Sequence, residues 1–486
     1  MRKNSKLGGL VLEDHQYCHR IDVISTSKRC FFFTLSYLPA GRQVLEFEAV
    51  YNRMVWTRQY FQKSKLIQIN SFDEEVVMKW KRIAFMLGLV ILSWYAFSGR
   101  VMAQKSIADD YPELKPVVEF VGENNLSVLH LVGVKASMEA MKQLPFSKAD
   151  SKVLAFTDAG YIAKIGPYTT EKALDGVIMS TGTSRGKGNL VNVHKPYNAP
   201  LWFAFFHKES KECIYLEAKG DVLKSYLDRE RTERGTALRD FMKLKNKEIF
   251  TKIAKENIDA DKLLGSPKAW QKKMVARVFG GNEFSLVTVS NLWAIGLPND
   301  FLKVAELHDH ICPGLTSGYL IAEYLKKNLP SLAPRHEYTI IAVPPWCKDD
   351  ALIQILETNV GHKRMFVKWL TKDQKKRLPK WAKHVADIVI RWERGAKKGN
   401  GLVLAFDWDK AFKGSGTKRK YLKDFGSYRW WWMRLKMDVW MMDYLDKPEA
   451  LVSAIKEFEV KSPAEIEKLK AAGVNPLVEL GIMQKP

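Results

Sequence analysis

Two stretches of this chain repeat the same succession of periods. Residues 132–144 (VGVKASMEAMKQL) and 315–329 (LTSGYLIAEYLKKNL) carry apolar residues at helical spacing. Each is followed by a short apolar run of strand length, KVLAFT (152–157) and EYTIIAV (337–343). A second amphipathic helix, a Thr-bearing turn, a glycine and a strand-like run come next, in ALDGVIMSTGTSRGKGNLVNV (173–193) and KDDALIQILETNVGHKRMFVKW (348–369). Asp175 aligns with Asp350, Ile178 with Ile353, Thr183 with Thr358 and Gly186 with Gly361, at a constant offset of 175. Paired runs at 202–218 and 386–407 turn through polar, Gly- or Lys-rich residues, as hairpins do. Each half thus reads helix–strand–helix–strand–hairpin. The prediction is an α+β protein with two tandem lobes, 115–222 and 296–412, forming a pseudo-two-fold pair.

Outside the lobes the periods differ. Residues 223–295 are charged and helical at their start (LKSYLDRERTERGTALRDFMKLKNKEIF) and predict a helical connector. Residues 413–486 predict a helical C-terminal region. Within it YRWWWMRLKMDVWMMDYL (428–445) has too many Trp and Met residues for one helix face. It either packs across a lobe or forms a surface for a partner or cofactor. Residues 1–77 show no steady helical or strand period and read as an extension, not a domain.

Residues 78–103 change the picture of where the protein works. Lys79, Lys81 and Arg82 precede an apolar run at 83–97, 15 residues long, and Val101-Met102-Ala103 follows. This is the layout of a secretory signal peptide, with cleavage expected after Ala103. The run is short of the roughly 20 residues of a membrane span. A periplasmic or extracellular protein with no membrane span after cleavage is expected. A buried helix and an uncleaved anchor remain the other readings.

The formal net charge is +23. Residues 1–77 carry 11 basic and 8 acidic groups, and 78–103 carry 4 basic and none acidic, so +16 remains after Ala103. The basic residues are dispersed, and no zinc-finger spacing, nucleotide loop or RNA-binding motif accompanies them. Nucleic acid is therefore not an expected partner; a small-molecule or anionic ligand is. Of the five cysteines, Cys18, Cys30, Cys213, Cys312 and Cys347, none forms a CxxC pair, which argues against a zinc ribbon or a disulfide framework. Cys213 sits in a strand-like run and reads as core.

The densest chemistry is LHDHICPG at 307–314. If extended, this stretch puts His308, His310 and Cys312 on one side. Pro313-Gly314 then opens a helix, whose N-terminus favours anions and lowers thiol pKa values. Imidazole and thiolate are ligands for zinc first, and for nickel or iron. Cys347, after the next strand, is a candidate fourth ligand, with a Cys312–Cys347 disulfide as its competitor. Asp309, Asp350 and His362 are candidate proton-transfer groups.

The residues His308-Asp309-His310-Ile311-Cys312-Pro313-Gly314-Leu315, with Gly318-Tyr319, Cys347 and Asp350, resemble the FmdE-like family, named for a component of formylmethanofuran dehydrogenase. Its members carry HGHxCPG, a later Cys a few residues before Asp, and a TGCTxGKGN turn, which Thr181–Asn189 resembles in the first half. The resemblance implies an α+β core that binds a transition metal, commonly zinc, and often dimerises. Carried onto this chain, His308, His310, Cys312 and Cys347 become the metal ligands. Asp309 replaces the family glycine, and Thr183 and Thr358 replace the family cysteine. The first lobe lacks HxHxC, reading LHLVGVKAS (129–137) at the matching place, where His130 is core or a vestige; the second lobe lacks GKGN.

These losses are complementary, which predicts one composite site. The metal motif would come from the second lobe. Gly186, Lys187, Gly188 and Asn189 of the first would hold an anionic ligand, unless they form only a tight turn. A monomer with an internal pseudo-dimer, or a homo-oligomer, would satisfy this pairing. The functional expectation is an exported metal-binding protein, with a metalloenzyme acting on a small anionic or one-carbon-related substrate as its catalytic form. The rivals are a non-catalytic carrier of a metal or metal-bearing cofactor and a structural protein with a vestigial site.

Overall fold

The computed structural model describes Cys30–Tyr37, Gln43–Val50, Met86 and residues 105–484, apart from Ile162, residues 333–335 and Arg394. The chain divides into two compact units, Met1–Met102 and Ala103–Pro486. In the first, β1 (Cys30–Tyr37) pairs antiparallel with β2 (Gln43–Val50), Cys30 opposite Val50 and Tyr37 opposite Gln43. The absence of a period in this stretch had predicted no element. The strands form in runs of aromatic and β-branched residues, whose propensity does not require alternation. The signal-peptide segment lies outside the described residues, Met86 excepted. Among the described residues no helix is long and apolar enough to cross a membrane.

The second unit is α+β and contains two lobes of the same topology. The first runs α1 (Val128–Gln143), β3 (Val153–Thr157), a two-residue-per-strand hairpin β4 (Lys164–Ile165) and β5 (Tyr168–Thr169), α2 (Lys172–Thr181), β6 (Leu190–Asn192), β7 (Trp202–His207), β8 (Glu212–Ala218), α3 (Gly220–Lys243) and β9 (Phe250–Asn257). Helices α4 (Glu283–Ala294) and α5 (Asn299–His308) lead to the second lobe. That lobe runs α6 (Pro313–Asn328), β10 (His336–Ala342), α7 (Lys348–Leu356), β11 (Met365–Val367), β12 (Val385–Glu393), β13 (Gly399–Phe406), α8 (Tyr428–Met441) and β14 (Val452–Val460). The sheets have the orders β6-β3-β7-β8-β9 and β11-β10-β12-β13-β14. In each, the short edge strand is parallel to its neighbour and the other pairings are antiparallel.

The fifth strand of each sheet departs from the sequence reading. Strand β9 falls within the stretch expected to be all helical connector, and β14 within the C-terminal region expected to be helical. FTKIAKEN and VSAIKEFEV are edge strands with one half-exposed face, and their lysines and glutamates break the apolar alternation. Helices α3 and α8 occupy the same topological place, between the fourth and fifth strands of their sheets.

Alternation along β7 explains the layering. Phe203 and Phe205 enter one core with α1, α2 and α3, while Trp202, Ala204 and Phe206 enter another with α4, α5 and the start of α6. Ile340, Ala342, Val389 and Leu404 of the second sheet face α6, α7 and α8. Its opposite side, with Ile341, Ile388 and Ile390, is covered by C-terminal residues including Ile466, Leu469 and Leu477. In the first lobe α1 and α2 cross at Gly133 and Gly176: a Cβ at Gly133 would strike the Ala173 carbonyl, and one at Gly176 the His130 carbonyl. In the second, α6 crosses α7 at Gly318, where a Cβ would strike the backbone of Lys348.

Candidate metal centre

His308 is the last residue of α5. Asp309 follows in the left-handed region, φ 66°, and Cys312 is the N-cap of α6. The three candidate ligands therefore do not gather by strand alternation, as the sequence suggested. A helix end, a left-handed reversal and a helix start bring them together. The reversal explains the glycine that the related motif carries there: aspartate is one of the few side chains that tolerates φ > 0. Neighbours fix the loop. Ser285 of α4 donates to the Asp309 carbonyl, and the Ile311 N–H donates to Thr288 Oγ1 at 3.2 Å. The Phe284 ring lies 5.2 Å from that of His310.

One ligand atom from each of His308, His310 and Cys312 lies within 4.8 Å of the others. The two imidazole rings are 4.6 Å apart, and Cys312 Sγ is 3.9 Å from His308 Nε2. His308 Nδ1 bonds to Asp350 Oδ2 at 2.6 Å, and His310 Nδ1 bonds to Asp309 Oδ1 at 2.6 Å. Each carboxylate occupies Nδ1 and leaves Nε2 for a cation, the arrangement in which histidines ligate metals. Metal–ligand bonds of roughly 2.0–2.3 Å fit within donor separations of this size after small side-chain adjustment. The group can thus hold a transition metal. Asp309 and Asp350, expected as proton-transfer groups, are the residues that orient the two imidazoles.

Cys347 stands at the N-cap of α7 and hydrogen bonds with the Cys312 thiol and with His308. Both cysteines are free thiols. The bond from the Cys312 thiol, opposed by burial and aided by His308, brings Cys347 down to about 4. The same bond, together with burial, pushes Cys312 well above its ordinary value. Burial works against a charged His308, yet its bonds to Asp350 and Cys347 outweigh it and lift the imidazole to about 9. Asp309 would be raised by burial, but His310 and Lys195 hold it down at about 2. Gly314 allows this closeness: a Cβ there would meet Trp346, and would sit 3.0 Å from the Cys347 Cβ.

The first lobe supports the site from behind. Lys195 donates to Asp309 Oδ2 at 2.8 Å. Arg185 pairs with Glu306 of α5, which also accepts from the Asn192 N–H at 3.1 Å. The Gly186–Asn189 turn makes contacts of a different kind from those predicted. The N–H groups of Lys187, Gly188 and Asn189 bond to Ser184 and Arg185 inside the turn, and Lys187 Nζ bonds to the Gly182 carbonyl at 2.7 Å. Asn189 Oδ1 accepts from the Ser184 N–H, and the Gly188 carbonyl accepts from Trp293 Nε1. These donors are spent within the turn, which docks against α4. His362 is half-exposed and faces Asn359 and Glu357, neither of them a site residue. Thr183 and Thr358, at the family cysteine position, are buried and bond to Thr181 and to the Leu352 carbonyl.

The structure also relocates the first-lobe counterpart of the motif. Gly133 and Gly318 mark the same crossing and stand 185 positions apart, as do the N-caps Ser127 and Cys312. The match to HDHIC is therefore ENNLS at 123–127, and not LHLVGVKAS. The ten-residue difference from the offset of 175 accompanies the β4–β5 hairpin inserted between β3 and α2. Ser127 Oγ donates to Glu230 of α3 at 2.9 Å, so a carboxylate closes that helix end. His130 is buried, and Ser127 N–H donates to its Nδ1.

A cavity of about 270 Å³ opens beside Cys312 and Cys347. The N-terminal turns of α6 and α7 form one side, and Met433, Arg434 and Met437 of α8 another. The Trp/Met-rich segment thus packs across the second lobe and walls this cavity. Lys195, Ser285, Thr288 and Arg434 carry no local sequence signal. They reach the site from elements 20 to more than 100 residues away.

Residues 307–452 match the model of a family described as FmdE, Molybdenum formylmethanofuran dehydrogenase operon. The second lobe is an FmdE-like domain. The match begins beside His308 and ends at the first residue of β14, so it spans the metal motif, four strands and α8. The first lobe lies outside the matched residues, although it repeats the strand order. No curated protein matches the chain.

Proposed function

We propose that this protein is an exported metalloprotein in which His308, His310 and Cys312 hold one transition metal, with Cys347 as the fourth donor. The observation that carries the reading is the pair of carboxylate–imidazole contacts, Asp350–His308 and Asp309–His310, which occupy both Nδ1 atoms in a group whose ligand atoms lie within 4.8 Å of one another, His308 Nε2 being 3.9 Å from the Cys312 thiol. Two imidazoles and one or two thiolates favour zinc over harder cations, with nickel and iron next. Export rests on the segment at 78–103, with its basic start, apolar run and small-residue cleavage site. We read the first lobe as a second, divergent FmdE-like copy that no longer binds metal, on the strength of its matching topology.

A specific observation favours a catalytic variant of this reading. Cys347 stands outside the tight triad and lines the cavity. If it yields the fourth position to a small anionic substrate, the protein is a metalloenzyme. A metal at such a site supplies Lewis acidity, polarising a carbonyl or activating water. Asp309 and Asp350 would then keep the imidazoles oriented, and Gly314 would keep the thiols close.

Elemental analysis tests the reading. The purified protein is expected to hold about one metal per chain, and Cys312→Ser to lose it. Full retention in that variant removes the assignment. Metal retained in Cys347→Ser selects the open three-donor site, and metal lost selects the closed four-donor site. A secreted or periplasmic product beginning at Gln104 is the expected sign of export.

A further inference from the structure

The cavity beside Cys312 and Cys347 has a composition that selects its occupant. Phe406, Trp408, Phe412, Met433 and Met437 give it an apolar wall, and among the described residues no aspartate or glutamate lines it. Its volume, about 270 Å³, lies near the small end of ligand sites, which run from roughly 300 to 1,000 Å³. Five lining residues can carry positive charge: Lys348, Lys383, His384, Arg419 and Arg434. Four of them have carboxylate partners. Lys348 Nζ is bound by Asp349 and Asp387, and Lys383, His384 and Arg419 all lie within 3.4 Å of Asp409.

Arg434 is the exception. Among the described residues no carboxylate lies within ion-pair distance of its guanidinium, which donates to the Trp430 carbonyl at 2.8 Å and stacks 4.1 Å from the centre of the Trp430 ring. The acid one turn along α8, Asp438, is fully buried, accepts from Thr316 Oγ1 at 2.7 Å, and is driven toward its neutral form by burial. Arg434 is itself half-buried. A half-buried guanidinium with no carboxylate within ion-pair distance, at the wall of an apolar cavity, can receive a carboxylate, with the Cys347 sulfur as the negative group already near it.

We propose that this cavity binds a small monocarboxylic acid with a flat or branched apolar body, its carboxylate on Arg434 and its body against Trp408, Phe406 and Met437. A dianion such as a phosphate monoester is disfavoured, because each of the other four cations already has a carboxylate within 3.4 Å and only Arg434 has none in ion-pair distance. Planar guanidinium matches a carboxylate in a two-pronged contact that a lysine ammonium does not make. The cavity shares Cys312 and Cys347 with the metal centre. The acid's place beside a metal rests on the proposed function; its binding to the cavity does not.

Benzoate is the probe, titrated into the full chain and followed by calorimetry and tryptophan fluorescence. Wild type is expected to bind one benzoate saturably. Arg434→Gln is expected to bind it at least about tenfold more weakly, the scale of one lost charge-assisted hydrogen bond, and Arg434→Lys to fall between. Benzyl alcohol and phenyl phosphate are expected to bind at least about tenfold more weakly than benzoate to wild type. Equal melting temperatures establish that the variants are folded. No benzoate binding, equal binding by Arg434→Gln, or tighter binding of benzyl alcohol or phenyl phosphate overturns the proposal. His310→Ala, a candidate ligand that does not line the cavity, separates the two readings: it is expected to lose metal yet bind benzoate within a few-fold of wild type. A metal-free wild type that binds benzoate leaves the cavity assignment standing and removes only the metal.

Discussion

Lys195 of the first lobe donates to Asp309 of the second at 2.8 Å, and Asp309 in turn holds His310 at 2.6 Å. The contact makes the first lobe a supporting part of a site whose candidate ligands all lie elsewhere. Lys195→Met is expected to weaken metal binding several-fold, and Asp309→Asn by about 10–100-fold, the usual range for groups that orient a ligating histidine. Competition against a chelator of known affinity checks both. Equal affinity in wild type and Asp309→Asn contradicts the orienting role.

Asp350 makes the matching contact with His308, and its replacement should be equally costly. Asp350→Asn is expected to lower metal affinity about 10–100-fold while the protein stays folded. Titration of the apo protein with zinc, read by competition, measures it. An unchanged affinity would mean that the 2.6 Å contact contributes nothing to ligation.

Gly318 sets the distance between the helices that carry Cys312 and Cys347. A Cβ there would strike the Lys348 backbone, so Gly318→Ala must push α6 and α7 apart. Overpacking of this kind costs about 1–3 kcal/mol. A lower melting temperature and weaker metal binding are expected together. Gly133→Ala, at the equivalent crossing of the first lobe, should lower stability with a smaller effect on metal.

Asp158 predicts a pH dependence separate from the metal. It is fully buried, its Oδ1 accepts from the Trp202 N–H at 3.0 Å, and burial lifts its carboxyl to about 8 from the ordinary 3.8. Between those values the folded chain keeps a proton that the unfolded chain releases. Its contribution to stability therefore falls as pH rises from about 4 to about 8. Asp158→Asn removes this dependence. Urea unfolding is expected to show the variant gaining stability relative to wild type steadily from about pH 4 to about pH 8 and levelling off above it. A difference that does not change with pH would contradict the assignment.

Much of this arrangement was legible in the residues. Helix and strand periods give both lobes because α1, α2, α6 and α7 each bury one face against a sheet. The spacing of His308, His310 and Cys312 marks the site in the sequence itself, since three soft donors in five residues have few other uses. The route by which they converge was not legible. Alternation predicts a strand, and nothing local announces that Asp309 turns through the left-handed region. Edge strands β9 and β14 escaped because lysines and glutamates break their apolar alternation. The first-lobe counterpart of the motif was misplaced because a constant offset of 175 holds only after the β4–β5 insertion; ahead of it the offset is 185. Lys195 and Arg434 depend on tertiary contacts for their roles, and no sequence period encodes these.

The tethering of both lobes in one polypeptide has a further consequence. A centre braced by two separate subunits comes apart when the subunits are diluted below their dissociation constant. Here the brace and the braced residue are separated by a fixed length of chain, so their encounter is intramolecular and insensitive to protein concentration. In a molecule exported as proposed, at whatever scarcity its surroundings impose, the Lys195–Asp309 contact stays formed at any dilution.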